Sequence, residues 1–353
     1  MDILDRTIWQ QASGDTNRDY AEWCLKWDVI LNGPGRFGAF PGCVEVLKQN
    51  GISQKKITDL KRFSEIMLDK DLVVLRLGTK DILGVGEVVG NYEWRNEFGD
   101  IDGWDLQHVR RVRWLWKRGV ETGGFSKYDL KQGDTTQVLT SKPVLEWLRG
   151  LNIPRNALDR DLVTLPEETD ADVTYEAIAE FMFGKGVASQ SIRRLLQEID
   201  ELVRIAKWYQ DTKNPSESET VAYLVVPLLR ALGWTPQRMA VEWNNVDLAL
   251  FDTLPREDAN MAIVVEAKRR GASCLTALSQ AQAYALGKPN CRRLIVTDGL
   301  RYGVYIKKGK EFLLHAYMNL TRLRDHYSVY GCAGAPGALL TMTPEWSSSV
   351  ADS

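Results

Sequence analysis

Histidine and cysteine are scarce in this sequence. Only three histidines occur among 353 residues, so chemistry built on paired histidines, as in His-metal nucleases and most His-dependent hydrolases, is poorly supplied. The five cysteines lie far apart, with no C-x-x-C pair and an odd total, which argues against a disulfide framework and a zinc knuckle. Carboxylates and lysines are the catalysts that remain available.

A long apolar run and a strong net charge are also missing. No stretch of about 18 apolar residues occurs, and the first residues, MDILDRTIWQQ, lack the basic start and apolar run of a secretory leader. We therefore expect a soluble, cytoplasmic protein with no membrane partner. The formal net charge of -2 means that any contact with nucleic acid must come from local basic patches.

What is present is a globular composition, 44% hydrophobic and 26% charged, in a chain long enough for two or three domains. Its patterns predict an α/β multidomain protein. Residues 1–120 are rich in tryptophan, glycine and short β-type runs such as DLVVLRLG, which is typical of a small β-barrel with helices. We assign residues 121–212 to a linker and helical connector, 213–325 to an α/β domain, and 326–353 to a loosely ordered tail.

A long amphipathic helix is predicted within residues 171–209. Its apolar side chains recur at three- and four-residue spacing: Ile192, Leu195, Leu196, Ile199, Leu202, Val203 and Ala206. This stripe either packs against the neighbouring domain or forms a self-association seam between two copies of the chain. The sequence leaves both interpretations open.

The residues that carry chemistry lie on two predicted strands that follow a helix. The helix has Ser218 as its N-cap and Glu219 in its first turn. The strand VDLALF carries Asp247 near its start, and the apolar run MAIVVEAKRR ends abruptly in charge, as a buried strand does at an active-site rim. Because side chains alternate along a strand, Glu266 and Lys268 share one face, about 7 Å apart.

Two carboxylates and an ammonium group on one face suit phosphodiester hydrolysis. Asp247 and Glu266 offer the oxygen ligands that Mg²⁺ prefers, and a bound metal ion lowers the pKa of its water and neutralises charge developing on phosphorus. Lys268 supplies a positive charge that orients the attacking water, and Glu219 completes the outer shell of the metal. The alternative is structural: Glu266 and Lys268 form a salt bridge at a strand end of an inactive protein.

The series Asp247, then Glu266-Ala267-Lys268, resembles the D...(D/E)-x-K core of the PD-(D/E)xK nuclease superfamily. Over about residues 217–320 the chain is similar to the amino-terminal nuclease domain of type I restriction endonuclease R subunits through further features: Glu219, Gln280-x-x-x-Tyr284, the strand RLIVTDG and the hairpin RYGVYIK. The resemblance implies a restriction-endonuclease-like domain with a four-stranded mixed sheet flanked by helices. It also implies Mg²⁺-dependent cleavage of DNA, with Mn²⁺ as a substitute.

The same resemblance assigns roles to residues. They are Asp247, Glu266 and Ala267 as metal ligands, Lys268 in the catalytic base region, and Gln280 and Tyr284 as residues that position DNA.

Aromatic residues crowd the amino-terminal part. Core packing accounts for most of them, and the others are available to wall a pocket for a flat base taken out of its stack. From Leu25 to Trp116, the order DKDLVVLRLGTKDILGVGEVVGNYEW, then DGWDLQHVRRVRWLW, resembles the EVE domains of the PUA-like superfamily, which includes the YTH modified-base readers. The resemblance implies a PUA-like β-barrel with an aromatic pocket for a flipped, modified base. The pocket residues expected are Trp27, Asn32, Phe40, Tyr92 and Trp94.

Arginines near both sites are candidates for contacts with the DNA backbone. In VRRVRWLWKR, strand alternation places Arg111 and Arg113 on the face opposite Trp114 and Trp116. That basic face either contacts phosphates or is a solvated strand face. The full set of candidates is Arg110, Arg111, Arg113, Arg269 and Arg270.

A base reader joined to a nuclease predicts a modification-dependent restriction endonuclease of phage defence. The reader raises the local substrate concentration at a catalyst with little sequence preference, so cutting is confined to double-stranded DNA that carries a marked base, such as a methylated or hydroxymethylated cytosine. A homodimer is expected, because one such centre hydrolyses one strand. Two alternatives stay open: a non-cleaving nucleic-acid reader or regulator, and a nuclease acting on modified RNA.

Overall fold

The computed structural model of the protein describes residues 6–14, 19–119, 130, 133–153, 157–166 and 171–346. The chain divides into two compact units, Met1–Glu168 and Thr169–Ser353. The boundaries expected at residues 120, 212 and 325 do not coincide with this division. Much of the expected linker, VETGGFSKYDLKQGDTTQ, lies outside the described residues. In the described part of the chain, no helix is both long and apolar enough to cross a membrane.

The first unit is built on one six-stranded sheet that curls into a half-barrel. Its strands are β1 (Ile8–Ala12), β2 (Val29–Asn32), β3 (Leu72–Leu77), β4 (Asp81–Trp94), β5 (His108–Lys117) and β6 (Thr136–Val138). The order across the sheet is β2-β5-β4-β3-β1-β6, in which β1 and β3 are parallel and the other neighbours are antiparallel. Its helices are α1 (Ala21–Trp27), α2 (Val44–Gln49), α3 (Gln54–Lys61) and α4 (Lys142–Arg149).

Strand β4 shows why the glycines of ILGVGEVVG lie within a strand. A Cβ atom at Gly86 would lie 2.4 Å from Cγ1 of Val112 and 2.9 Å from the Trp114 ring, so only glycine lets β4 approach β5 this closely. The register between these strands shifts next to Gly86 and again before Tyr92. Such bulges increase local twist and bend a strand, which is consistent with the curl of this sheet.

The second unit is a mixed eight-stranded sheet with helices on both faces. Its strands are β7 (Met239–Trp243), β8 (Val246–Phe251), β9 (Met261–Ala267), β10 (Arg293–Thr297), β11 (Arg301–Lys308), β12 (Glu311–Asn319), β13 (His326–Tyr327) and β14 (Cys332–Ala333). They are arranged in the order β13-β14-β12-β11-β10-β9-β8-β7. The helices are α5 (Tyr175–Gly184), α6 (Ser189–Asp211), α7 (Glu217–Thr220), α8 (Val226–Ala231), α9 (Leu278–Ala285) and α10 (Ala335–Thr341), with a π-helical turn (Val221–Val225) joining α7 to α8.

Alternation along β9 divides the core of this unit into two layers. Ile263 and Val265 pack with α5, α6, α8 and α10 on one face, whereas Val264 packs with α9 on the other. All seven residues of β9 are buried, as expected of a central strand covered on both sides. Strands β9 and β10 are parallel and are connected through α9. The charged end of β9 is therefore held at one edge of a rigid sheet.

Helix α6 and the carboxyl-terminal segment both belong to this core. Ile192, Leu195, Ile199, Leu202 and Ala206 are buried in it, so the apolar stripe of α6 serves intramolecular packing and not a seam between copies. The expectation of a loosely ordered tail is wrong for residues 326–346. Apolar side chains of α10 enter the same core, and Nε1 of Trp234 donates a hydrogen bond to the carbonyl of Met342 at 2.8 Å.

Candidate functional site

Two carboxylates meet at one edge of the second sheet. Leu248 of β8 pairs with Val265 of β9, so the antiparallel register makes Asp247 and Glu266 neighbours across the two strands. Oδ2 of Asp247 accepts a hydrogen bond from the backbone N–H of Ala267 at 2.7 Å. Asp247 is half-buried, and only 1% of Glu266 is exposed. The structure thus brings the two predicted acids together.

Lys268 connects these acids to helix α9. Its Nζ donates to Oε1 of Glu266 at 2.9 Å and to Oε1 of Gln280 at 3.1 Å. Nε2 of Gln280 in turn donates to the hydroxyl of Tyr284 at 3.1 Å. The predicted side chains on the strand and on the helix therefore form one continuous polar chain.

The charge state of Glu266 is unusual. Burial raises the pKa of this carboxyl to about 7; the hydrogen bond from Lys268 opposes that shift, and the negative charges of Asp247 and Glu217 add to it. Burial lowers the pKa of Lys268, but its hydrogen bond to Glu266 and the surrounding carboxylates outweigh burial, so the net shift is upward. Lys268 therefore remains positively charged at neutral pH.

The residues present fit a hard divalent cation such as Mg²⁺. Oε2 of Glu266 is buried and has no hydrogen-bond partner in the described part of the chain, although Asp247 lies beside it. An unsatisfied buried carboxylate oxygen next to a second carboxylate is stabilised by a cation. No group of three or more Asp, Glu, His or Cys side chains suited to a metal ion occurs among the described residues. The remaining ligands would be water, phosphate oxygens or main-chain oxygens such as that of Ala267.

Glu219 does not lie with these acids, contrary to the expectation that it completes the outer shell of the metal. The helix begins two residues earlier than predicted, with Ser216 as its N-cap and Glu219 as the other half of a capping box. Oε2 of Glu219 accepts from the backbone N–H of Ser216 at 2.7 Å and from its hydroxyl at 2.9 Å. The neighbouring Glu217 contributes its charge to Glu266 and Lys268 instead.

A small cavity adjoins the acids and contains carboxylates that the sequence pattern did not single out. It has a volume of about 120 Å³ and is lined by Glu217, Glu242 and Asp247. Glu242 has a φ of 53°, a left-handed conformation that is rare for a residue with this side chain. The S-x-x-E capping box at Ser216 was the sequence signal that would have excluded Glu219 and drawn attention to Glu217.

Arg269 and Arg270, expected on the DNA backbone, bind the segment before α7 in this structure. Nε of Arg269 donates to the carbonyl of Pro215 at 3.0 Å, and Nη1 of Arg270 donates to Oδ1 of Asn214 at 2.7 Å. Burial lowers the pKa of Arg270, with Asp298 opposing the shift. These arginines therefore fix the start of the helix that carries Glu217.

The first unit contains a cavity of about 340 Å³ where β2 ends. Its walls include the rings of Tyr20 and Trp104 and the polar side chains of Asn32, Lys56 and Asp105. The two rings make an edge-to-face contact, with centroids 5.5 Å apart and planes at 69°. Burial raises the pKa of Asp105, and the nearby positive charge of an arginine opposes the shift. Aromatic faces and polar groups thus line the same space.

Hydrogen bonds hold the polar wall of this cavity in place. The buried Asn32 donates from Nδ2 to Asp59 at 3.2 Å and to the hydroxyl of Thr136 at 3.1 Å. Nζ of Lys56 donates to Oδ1 of Asn32 and to Oδ2 of Asp59, both at 2.7 Å. Because Thr136 lies on β6, the chain beyond residue 120 is needed to build this wall.

A tight turn presents Trp104 to the cavity. Asp102 and Gly103 have φ values of 47° and 77°, and Ile101 and Trp104 form a bridge on either side of them. Positive φ at both central residues is the type I′ pattern for which Asp-Gly is a preferred pair. The dipeptide Asp102-Gly103 followed by an aromatic residue is the sequence signal for this wall.

Asn32 is the one predicted pocket residue that lines this cavity. Tyr92 and Phe40 instead hold the loop after β2, because the hydroxyl of Tyr92 accepts from the backbone N–H of Phe40 at 3.1 Å and bonds to Nδ1 of His108 at 2.7 Å. Nε1 of Trp94 donates to the carbonyl of Gly35 in the same loop at 2.8 Å. Trp27 lies on α1 with a lysine ammonium over its ring.

The arginines of β5 also bond within the first unit. Arg110 is buried and donates to the carbonyl of Met67. Arg111 donates to the carbonyl of Val163, and Arg113 donates to the carbonyl of Arg160 at 3.1 Å. The predicted alternation with Trp114 holds, and Arg111 and Arg113 bond to carbonyls of the segment 160–163 in this structure.

The family model of a domain of unknown function, DUF8426, matches residues 11–138 of the chain. The matched segment lies in the first unit and ends with β6, the strand that contributes Thr136 to the cavity wall. Neither the curated proteins nor the solved structures include a significant match to this chain.

Proposed function

We propose that the second unit hydrolyses phosphodiester bonds of DNA with the help of Mg²⁺. The observation that carries this proposal is the buried Oε2 of Glu266, which lacks a hydrogen-bond partner in the described part of the chain and lies beside Asp247 and Lys268. Leaving such an oxygen unsatisfied costs free energy in the protein alone. A site that serves a charged ligand accounts for this cost.

Each residue of the polar chain has a role in this chemistry. A bound Mg²⁺, or Mn²⁺ in its place, would lower the pKa of a coordinated water and neutralise charge on phosphorus. Asp247 and Glu266 would hold the ion through carboxylate oxygens. Lys268, which stays protonated, would orient the attacking water or a phosphate oxygen, while Gln280 fixes its ammonium group and Tyr284 supports Gln280.

The order of elements supports a restriction-endonuclease-like assignment for this unit. Helices α7 and α8 precede the three antiparallel strands β7, β8 and β9, and α9 leads to β10, which is parallel to β9. These four strands are the candidates for the mixed sheet that the resemblance implies. Strands β11, β12, β13 and β14 extend that sheet on the side of β10.

For the first unit we propose a PUA-like role as reader of a modified base, such as a methylated or hydroxymethylated cytosine. Its cavity combines aromatic faces, from Tyr20 and Trp104, with polar groups held by Asn32 and Lys56. Such a combination suits a flipped base, which stacks on a ring and presents its edge to hydrogen-bonding groups. The whole protein would then be a modification-dependent restriction endonuclease.

The decisive test compares cleavage of matched plasmids with Mg²⁺. We expect cutting of plasmid that carries modified cytosine and little or no cutting of the unmodified plasmid, with linear product appearing as protein concentration rises if a homodimer cuts both strands. Equal cutting of both plasmids rejects the reader, and absence of cutting on every plasmid and on modified RNA rejects the nuclease. Preference for the RNA would assign the activity to that polymer.

Two observations favour a second candidate, a reader that binds modified nucleic acid without cutting it. No cluster of three metal-ligating side chains occurs in the described residues, and Lys268 already neutralises one oxygen of Glu266. In that case Glu266 and Lys268 would be a structural ion pair. Titration with Mn²⁺ distinguishes the two candidates: saturable binding that Glu266→Gln removes supports the nuclease, and absence of saturable binding supports the non-cutting reader.

The neighbouring residues Glu217 and Glu219 provide a matched pair of variants. We expect Glu217→Gln to lower Mg²⁺-dependent cleavage by about tenfold or more, because outer carboxylates of a metal site typically contribute 10–100-fold. Glu219→Gln should leave cleavage unchanged and lower the midpoint of thermal unfolding slightly, because it weakens the capping box. Cleavage rates and unfolding curves of the two proteins measure this. Loss of cleavage by the Glu219→Gln protein, together with a normal cleavage rate of the Glu217→Gln protein, would show that Glu219 and not Glu217 serves the metal site.

A further inference from the structure

A second cavity of the carboxyl-terminal unit lies at the edge of the sheet opposite to the acidic site. It has a volume of about 410 Å³, within the range of about 300–1,000 Å³ that is common for small-molecule sites. It is formed where β8 and β11 end and where β9 and β10 begin. Ala262 lines it at the start of β9, and Glu266 is four residues further along the strand, about 13 Å away. The cavity is therefore separate from the site described above.

Positive charge prevails among the side chains that line this cavity. Arg292, Arg293 and Lys307 line it together with one carboxylate, Asp252. The chain as a whole has a net charge of -2, so this concentration of cations is local. An unequal balance of this kind at a concave surface attracts anions.

The buried member of this group, Arg293, is only partly compensated. It is 3% exposed, and its Nη1 donates to the carbonyls of Thr341 and Thr343 at 2.8 Å each. Asp252 is 3.8 Å from its Nη2 and equally far from a second arginine, Arg238, and Glu345 adds a weaker negative charge. Burial lowers the pKa of Arg293 to about 10. A buried cation with a distant, shared carboxylate is stabilised when an anion enters the cavity.

An aromatic plane stands next to these cations. The guanidinium carbon of Arg293 lies 5.2 Å from the centre of the Trp346 ring, and Trp346 also lines the cavity. The amide side chains of Asn260 and Asn290 contribute neutral donors and acceptors to the same space. An anion alone needs neither an indole face nor amides. A ligand with a flat polar ring and a phosphate uses the cations, the indole face and the amides.

We propose that this cavity binds a nucleoside phosphate, whose base stacks on Trp346 and whose phosphate is held by Arg292 and Lys307. Stacking on an indole is tolerant of base identity, because every base has a π-face. Guanidinium and ammonium groups are the usual partners of phosphate oxygens. The ligand is a free nucleotide or the phosphorylated end of a nucleic-acid strand, which share this chemistry. The proposal does not depend on the nuclease activity, since the two sites lie at opposite edges of the sheet.

Calorimetric titration of the full chain tests this site. The probes are the 5′-mono- and triphosphates of adenosine, guanosine, cytidine and uridine, inorganic phosphate alone, and a short single strand with a 5′-phosphate. We expect saturable one-to-one binding of at least one nucleotide or of the strand, and much weaker binding of inorganic phosphate. Tighter binding of a free nucleotide or of the strand identifies which source of the ligand the site serves. Absence of saturable binding, or equal binding of inorganic phosphate, overturns the proposal.

Variants locate the binding to this cavity. Arg292→Gln and Trp346→Leu should each weaken binding about tenfold, which corresponds to the loss of one charge-assisted contact or of one stacking contact. Thr253→Trp, at an exposed lining position, should block the cavity while leaving the fold intact by circular dichroism. Lys310→Gln is the matched control, because it removes an exposed positive charge that does not line this cavity. Wild-type affinity in all three cavity variants, or equal loss in Lys310→Gln, overturns the assignment.

Discussion

Replacing Glu266 with glutamine is expected to remove Mg²⁺-dependent cleavage and, at the same time, to make the protein more stable. Cleavage should fall by more than about 100-fold, because Glu266 would ligate the ion directly and even outer partners of a metal contribute 10–100-fold. Stability should increase because the folded protein keeps this carboxyl buried beside two other acids. A residue whose removal stabilises the fold is characteristic of a functional site.

The sign of the stability change follows from the pKa of Glu266, which is raised from 4.5 to about 7 in the folded state. Between these two pH values the folded protein holds a proton that the unfolded chain has released, so the contribution of this group to stability falls as the pH rises. Above pH 7 ionised Glu266 lowers the free energy of unfolding by its full amount, about 3 kcal/mol. Glutamine carries no charge and avoids this loss of stability. The increase in the free energy of unfolding caused by Glu266→Gln should therefore be largest at pH 8 and disappear below about pH 4.5.

Denaturant unfolding of the parent and the variant between pH 4.5 and 8 measures this effect. Glu311→Gln, an exposed substitution on β12, is the control and should change neither stability nor cleavage. A Glu266→Gln protein that is destabilised at pH 8 would show that the Glu266–Lys268 ion pair stabilises the fold. Cleavage at the parental rate by that protein would remove Glu266 from the catalytic centre.

Replacing Trp104 with alanine is expected to remove the preference for modified DNA. Stacking of a base on an aromatic side chain contributes about 1–3 kcal/mol, so binding of modified DNA should weaken by about 10-fold to 100-fold. Trp104 and Tyr20 form the aromatic walls of the cavity in the first unit, and alanine leaves one of these walls open. The affinity for unmodified DNA should stay the same, because contacts with phosphates do not involve this ring.

Fluorescence anisotropy with a matched pair of duplexes, modified and unmodified, measures this preference. Trp27→Ala is the informative control, because Trp27 was also expected in the base pocket but lies on α1, away from the cavity lining. If Trp27→Ala loses the preference and Trp104→Ala keeps it, the pocket is not the cavity described here. Equal loss of affinity for both duplexes in Trp104→Ala would indicate a general effect on folding.

The grouping of Asp247, Glu266 and Lys268 was largely predictable because it depends on local geometry. The alternation of β9 places Glu266 and Lys268 on one face, and their contact of 2.9 Å confirms that prediction. Asp247 was placed correctly for a similar reason, since β8 is the antiparallel neighbour that precedes β9 in the chain. The placement of Glu219 was wrong because a shift of the helix start by two residues exchanges it for Glu217. Helix ends depend on capping interactions that compete within a few residues.

The cavity of the first unit was less predictable, because its walls come from segments that are distant in the chain. Tyr20, Lys56 and Trp104 meet Asn32 only after the six strands have assembled. The aromatic content indicated that some rings would line a cavity, but it did not distinguish those rings from Tyr92 or Trp94, which anchor a loop. The same limit applies to the arginines of β5, whose partners at residues 160–163 follow much later in the sequence.

By itself, the amino-acid sequence determined the residue types available for chemistry and the strand that places Glu266 beside Lys268, because a period of two residues acts within a single strand. The tertiary structure decided which glutamate joins them, which rings enclose the cavity of the first unit, and that Arg292, Arg293 and Trp346 gather at the opposite edge of the second sheet. The physical reason is that such neighbours are set by strand pairing and core packing between distant segments, which no local periodicity encodes.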